Sequence, residues 1–566
     1  MRRLQRAWAV MSMRRLRRSL RAPSWVLPLV GIVVGLLGLL AVFGLASARQ
    51  ELALARSALE SARTSVASRD VAAATTSLDQ ADSALGRAAA PAGRLPLNLL
   101  SPIPLVGSPV KALSDGVRAG HEAVAAGRLL NQAAGSFTTD GATGGDGHNI
   151  TAIHAASASS GVALEAAAVH LASARKILAG PAGAWLPPVS HAAKSLMGTV
   201  DSASKQLAGA ERGLTLLSSL SDPAADRRLL LLSQDTMELR PTGGFIGSFG
   251  VFRFDHGKVS MERYDSYETL PAPSPAVDAP AGLADSLDRP WDVSNSNWWP
   301  DFPTSAKAAM DLFARQGGGP VDGVIAVTQD VMADLVGAVG PVKLADYAKP
   351  VTQDGFAERV LYEVELKRPQ DNPRKKFLTD LADEVFHRLF ALPADKLPAV
   401  AQALGKAASA GDLQIYFTDP TLQAGIDGTV LDGALPAPKG DFLELVDSNM
   451  TASKSNAQLV RTVTYTVRPG AKGGGPAAAL DIDYANNGPA SDINPYYNGL
   501  LRIYVPKGTT LSDDSTGDVT PADDGPYDVI TTQVYVEPMG KLHVHLDYTL
   551  PATVAAGGDY HLTWLR

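Results

Sequence analysis

The sequence predicts a multidomain fold: an N-terminal transmembrane helix, an α-helical bundle or stalk, an α/β domain with a mixed sheet, and a C-terminal β-sandwich. Three observations predict it. An uncharged apolar stretch follows a run of arginines, the texture changes at Asp222-Pro223, and helical signal vanishes from about residue 440. These divide the 566 residues into a basic tail (1–24), a membrane helix (25–47), a bundle or stalk (48–222), an α/β domain (223–436) and a β-sandwich (437–566).

Arg2, Arg3, Arg6, Arg14, Arg15, Arg17, Arg18 and Arg21 lead the chain, and no charge appears from Ala22 to Ala48. Trp25 to Leu45 reads WVLPLVGIVVGLLGLLAVFGL, long enough to cross a bilayer core of roughly 30 Å as a helix. Arginines on one flank place that flank in the cytoplasm and the rest of the chain outside the cell. The run is longer than the roughly 7–15 residues of a signal-peptide core, and no clean small-x-small site follows it. The lipid membrane is therefore an expected partner, through one span.

Residues 48–93 are Ala-rich, with Leu52, Leu59, Val66 and Ala73 spaced by sevens, then Leu78 and Leu85 by seven again. That spacing gives a helix a narrow apolar seam. Helical signal returns at about 110–134, 150–180 and 188–220, which reads as antiparallel helices.

Beyond Pro223, RLLLL reads as a buried strand, GFIGSFGVFRF and VSMERYDSY as a hairpin around DHGK, and VDGVIAVT as a strand before the helix DVMADLVGAV. Residues 304–316, 374–391 and 395–409 read as helices, Pro341–Leu344 as a short strand and DLQIYF as another strand. Strands alternating with helices imply an α/β sheet whose 321–327 strand is internal, because VDGVIAV is nearly continuous in apolar residues. From QLVRTVTYTVRP onward, alternating strands separated by turn residues imply a sandwich.

With no Cys, disulfides, thiolate metal sites and a Cys nucleophile are excluded. The chain carries a net charge of -7, lacks a folded basic patch or nucleic-acid motif, and has no G-x-S-x-G, Walker A or H-E-x-x-H signature. His543 and His545 share one face of a predicted strand; a shared metal and an ordinary surface face are both open readings.

The densest polar cluster lies in the α/β domain. Glu238 and Arg240 precede Thr242, Gly243 and Gly244, a turn where backbone could approach a phosphate. Arg263 and Asp265 are two apart on a strand and face one side. Arg374, Lys375 and Lys376 open a helix, where cations oppose the macrodipole unless an anion joins them. Arg240, Arg263 and Arg374 are expected to converge on a pyrophosphate pocket, bordered by the apolar strands at 229–232 and 322–327. Trp298 and Trp299 are candidates for stacking on a sugar or lipid, or for the core.

LLLLSQDTMELRPTGGFIGSFGVFRFDHGKV, NWWPDFPTSAKAAMDLF, GGPVDGVIAVTQDVMADLVGAVGPVKL, SNMTASKSNAQLVRTVTYTV and NGLLRIYVPKGTTL, in that order, resemble the domain-of-unknown-function family number four thousand and twelve. The resemblance implies a membrane-anchored protein of the Gram-positive envelope, associated with surface polysaccharide. VDGVIAVTQDVMADLVGAVGPVKL is also similar to the central segment of LytR-CpsA-Psr proteins, which move glycopolymers from a polyprenyl pyrophosphate carrier to the cell wall.

That second resemblance implies catalytic roles for Arg240, Arg263 and Asp265. It implies substrate contacts from Thr242, Gly243, Gly244, Arg374, Lys375 and Lys376, and a possible Mg2+. Thr242 stands where those proteins carry a metal-holding Asp, leaving Glu238 and Asp265 as metal candidates. The expected function is binding or transfer of polyprenyl-pyrophosphate-linked glycopolymer, with a possible phosphotransferase activity. The alternative is a non-catalytic scaffold in envelope polysaccharide assembly.

Overall fold

The computed structural model describes residues 46–67, 70–94, 104–136, 150–182, 187–222, 224–256, 258–287, 289–367, 376–390, 392, 397–470, 474–512, 515, 520–555 and 560–565. The expected basic tail and nearly all of the expected membrane helix, like Arg374 and Lys375, lie outside these residues. Among the described residues, no helix is long and apolar enough to cross a membrane. The chain divides into two compact units, with the break near Pro223.

The first unit is helical: α1 (Ala46–Ala67), α2 (Val71–Arg94), α3 (Pro104–Gly135), α4 (Ile150–Ala182) and α5 (Pro187–Leu220). Proline opens α3 and α5, where a missing N–H costs nothing. Pairings between sequence neighbours set an antiparallel order. Arg87 near the end of α2 reaches Glu51 near the start of α1 at 2.8 Å, and Arg128 late in α3 reaches Asp79 early in α2 at 2.8 Å. His170 of α4 meets Glu122 of α3 at 2.7 Å, and Arg175 of α4 meets Asp201 of α5 at 2.6 Å. Of the expected seam, Leu59, Leu78 and Leu85 are buried in one core with Val117 and Val124. A second core joins α3, α4 and α5 through Leu130, Leu164, Leu171, Val200 and Leu207 with many alanines, whose small side chains let the helices approach closely.

The second unit begins with a five-stranded mixed sheet in the order β3-β2-β1-β4-β5. Its strands are β1 (Asp226–Asp235), β2 (Phe245–Asp255), β3 (Lys258–Ser266), β4 (Gly323–Thr328) and β5 (Leu413–Phe417). β1 runs parallel to β4, and the other neighbours are antiparallel. β4 is internal, as its apolar run requires, and Leu229, Leu230, Leu231 and Leu232 of β1 are all buried because both faces are covered.

The helices are α6 (Phe302–Phe313), α7 (Gln329–Val339), α8 (Phe356–Leu361), α9 (Lys376–Phe390), α10 (Leu397–Ala410) and α11 (Pro420–Ile426). Asp301 caps α6 by accepting from Thr304 N–H, and Asp419 caps α11. Two sequence expectations change in detail. Pro341–Leu344 is no strand but a single bridge, Val342 to Val351. α8, continued by a π-turn through Leu366, occupies a stretch left unassigned.

Beyond it lie two further sheets, ordered β10-β13-β8-β7 and β11-β12-β9-β6-β14. The first holds β7 (Leu459–Arg468), β8 (Ala477–Asn486), β10 (Thr510–Leu511) and β13 (Lys541–Thr549). The second holds β6 (Asp441–Asn449), β9 (Tyr497–Pro506), β11 (Thr520–Asp524), β12 (Tyr527–Val536) and β14 (Leu562–Leu565). Leu480, Ile482, Val544 and Leu546 of one sheet share a core with Leu443, Leu501, Ile503 and Val534 of the other. The β6 segment DFLELVDSN, missing from the sequence reading, is an internal strand of the second sheet, between β9 and β14.

Candidate functional site

The turn after β1 shows what the Thr-Gly-Gly segment does. Gln234 Oε1 accepts from Thr242 Oγ1 at 3.0 Å, from Gly244 N–H at 3.1 Å and from Asn297 Nδ2 at 3.2 Å. Gly243 N–H donates to Arg240 O at 3.0 Å. Gly243 has φ +138°, and a Cβ on Gly244 would lie 2.1 Å from Asp235 O. The glycines are required by the close approach of the turn to β1. Both of their N–H groups are used inside the turn, which corrects the expectation that they cradle a phosphate.

Arg240 is buried by this turn. Its guanidinium donates to Glu238 Oε1 at 3.2 Å, Asn295 Oδ1 at 3.2 Å, Leu239 O at 3.1 Å and Asn449 O. It also sits 5.6 Å from the Phe245 ring centre. Burial pushes the Glu238 carboxyl above its ordinary value, opposed by Arg240 and Lys454. Burial also pushes Arg240 down, opposed chiefly by Glu238. A guanidinium stays charged in proteins, so the pair is an ion pair holding the turn against Asn449 at the end of β6.

Arg240 and Glu238 border a cavity of about 470 Å³. One side of the sheet floors it with Ser233, Ser248 and Tyr264, and Ser233 and Tyr264 are hydrogen-bonded at 3.0 Å. Met332 of α7, Phe356 and Val360 of α8, Val364 of the π-turn that continues α8, and Leu381 of α9 form an apolar wall. The polar end carries Asp235, Glu268, Arg289, Lys454 and Asp492 beside Glu238 and Arg240. Lys454 Nζ lies 2.6 Å from Asp235 Oδ2 and 3.6 Å from Glu238 Oε2. Arg289 lies over the Tyr267 ring at 4.8 Å and donates to Ser294 Oγ at 3.0 Å.

Arg263 and Asp265 are not brought to this cavity. In the β2–β3 register Tyr264 pairs with Gly250 while Asp265 pairs with Phe249 and Arg263 with Val251. Alternation puts them on the face opposite Tyr264, where Phe249 and Val251 enter the core with Leu230 and Leu232. There Arg263 pairs with Asp265 at 3.0 Å, bonds Thr269 Oγ1 at 2.8 Å and covers the Phe249 ring at 5.0 Å. The two share a strand face as expected, but not with Arg240. Lys376, at the start of α9, is engaged by Asp380 and by Asp346 at 3.1 Å, and both hold its pKa above the ordinary lysine value.

Of the two metal candidates, Glu238 borders the cavity and Asp265 does not, and among the described residues neither belongs to a group that could hold a metal. Among the described residues, the group that could hold a metal is instead Asp481, His543 and His545. Trp298 is core, stacked under the Arg502 guanidinium at 4.2 Å, and Trp299 packs on Trp291; neither lines the cavity. The apolar wall comes from α7, α8 and α9, and the leucines of 229–232 and the valines of 324–327 do not line it. Sequence reasoning missed Arg289, Lys454 and that wall. One signal was available: Met450–Lys454 lies within SNMTASKSNAQ, a block already singled out.

The fold is a mixed α/β sheet with a part-apolar, part-charged cavity under its helices, a class that by itself fixes no one chemistry. Residues 225–364 match the family model described as Protein of unknown function (DUF4012). No curated protein and no solved structure matches the chain.

Proposed function

We propose that this is a membrane-anchored envelope protein that binds a lipid-linked glycopolymer intermediate, with the proximal part of the polyprenyl chain in the cavity. The observation that carries the reading is the cavity's two-part lining: aliphatic and aromatic groups from α7, α8 and α9, together with a group of charged side chains. At about 470 Å³ it is of ordinary ligand-pocket size, room for a segment of a long chain. Its lining combines three cations, Arg240, Arg289 and Lys454, with four carboxylates, Asp235, Glu238, Glu268 and Asp492. Such a lining offers donors and acceptors together, which suits a glycosyl phosphate head better than a bare pyrophosphate. In this reading the arginine-rich N-terminus is cytoplasmic and the C-terminus extracellular. A C-terminal alkaline phosphatase fusion should then be active; an inactive one in well-expressed protein would reverse the topology.

Binding is favoured over transfer. The phosphotransferase that the LytR-CpsA-Psr resemblance implies would need free cations and a metal at Arg240, Arg263 and Asp265. Arg240 is instead spent on four acceptors, and the other two pair with each other and do not line the cavity. These contacts support a carrier or scaffold role in polysaccharide assembly over a transferase. Native mass spectrometry of detergent-purified full-length protein should show a co-purified polyprenyl lipid. Val360→Trp, which fills the slot, should lose that lipid while keeping its circular dichroism and melting temperature. A lipid-free wild type, or a folded Val360→Trp protein that retains the lipid, would overturn the reading.

A further inference from the structure

β8 and β13 pair antiparallel, with His543 opposite Asp483 and His545 opposite Asp481. Along both strands the alternating residues Ile482, Tyr484, Val544 and Leu546 point into the core. Asp481, Asp483, His543, His545 and Asp547 therefore share the outer face. We propose that Asp481, His543 and His545 are a zinc site on this face, with Asp481 Oδ1, His543 Nε2 and His545 Nδ1 as protein ligands and solvent or substrate completing the coordination.

Geometry carries the assignment. One donor atom from each of the three residues lies within 4.8 Å of the others. Asp481 Oδ1 is 3.5 Å from His543 Nε2 and 2.7 Å from His545 Nδ1. Ligands at about 2.0–2.2 Å from one tetrahedral zinc are themselves roughly 3.3–3.6 Å apart, so small side-chain rotations suffice. A second observation is independent of these distances. The other nitrogen of each imidazole is held by its own carboxylate: His543 Nδ1 by Asp483 at 2.9 Å, and His545 Nε2 by Asp547 at 2.9 Å. Carboxylates behind both histidines fix tautomer and ring orientation, as the outer shell of a zinc site does. The rings are near parallel at an interplanar angle of 16°, so both present an edge toward Asp481.

Donor chemistry selects the metal. Two imidazoles and a carboxylate suit a borderline ion such as Zn2+, whereas Mg2+ and Ca2+ prefer all-oxygen shells. Three aspartates on this face also give the patch a negative charge that a dication neutralises. Zinc binds neutral imidazole, so its affinity should fall as pH drops below the imidazole range.

The test is equilibrium dialysis of EDTA-stripped full-length protein, in detergent, against ZnCl2 near neutral pH, read by elemental mass spectrometry. Wild type should retain one zinc per chain and melt at a higher temperature with zinc than without. His545→Ala and the near-isosteric Asp481→Asn should each weaken retention at least about 100-fold, and Asp547→Asn, acting through His545, about 10- to 100-fold. All three change half-exposed side chains, so unaltered circular dichroism is expected. His256→Ala, an exposed histidine on the β2–β3 turn, should bind as wild type. No stoichiometric zinc in wild type, or retention unaffected by His545→Ala and Asp481→Asn, would overturn the proposal.

Discussion

Arg240 is the residue around which the second unit is joined. It lies in the turn after β1, yet two of its partners, Asn295 and Asn449, are 55 and 209 residues away. Removing it leaves the buried Glu238 carboxylate with Lys454, at 3.6 Å, as its one ion-pair partner among the described residues. Arg240→Ala should therefore cost about 3–5 kcal/mol, the usual penalty for breaking a buried ion pair from one side. A chemical denaturation midpoint close to wild type would show instead that the side chain is free for a ligand. Glu444 gives a pH-dependent test. Burial, with Asp301 adding to it and Arg502 opposing it, pushes its carboxyl up to about 7, and its Oε2 is buried without a hydrogen bond among the described residues. Between its ordinary value near 4.5 and about 7 the folded protein keeps a proton that the unfolded chain has released. Stability is thus lost as pH rises through that window, by at most about 3 kcal/mol. Glu444→Gln should melt above wild type at about pH 8 and level with it near pH 4. Equal melting temperatures at both would mean that Glu444 ionises as it does in water.

At the scale of elements, the turn between β1 and β2 shows how a sequence signal can be read correctly and explained wrongly. Paired glycines do mark a close backbone approach, but the partner is Asp235 O at 2.1 Å from a would-be Cβ and not a phosphate. Gly244→Ala should lift the turn off β1 at a cost of roughly 1–3 kcal/mol or more, measurable by urea unfolding. An unaffected midpoint would mean that the turn relaxes freely. Strands with continuous apolar runs, such as Leu229–Leu232 and Val324–Val327, were legible because burial on both faces leaves no other composition. DFLELVDSN was not. Its Asp441, Asp447 and Asn449 are buried, and such residues in a strand look like turn formers until their partners are known. Those partners, Tyr465 and Tyr560 for Asp441 and Arg461 and Tyr484 for Asp447, come from β7, β8 and the segment before β14. The candidate site was half legible for the same reason. Glu238 and Arg240 announced themselves locally, whereas Lys454 reaches Asp235 across 219 residues of sequence. Arg263 was misplaced because spacing says which residues share a face but not which face holds the cavity.

At the scale of the whole molecule, the account joins a helical unit, a mixed α/β sheet and two further sheets to one claim, that the cavity beneath α7, α8 and α9 holds a lipid chain. The zinc site on β8 and β13 stands apart from that claim, and either can fail alone. The most direct measurement is photo-crosslinking of the full-length protein, in detergent or vesicles, with a polyprenyl phosphate carrying a photoreactive group on its chain, followed by peptide mapping. The account predicts adducts on 329–339, 356–366 and 376–390, competed by unlabelled lipid and lost in Val360→Trp. Adducts confined to the N-terminal 25–47 segment or spread over the helical unit, with none beneath the sheet, would contradict it.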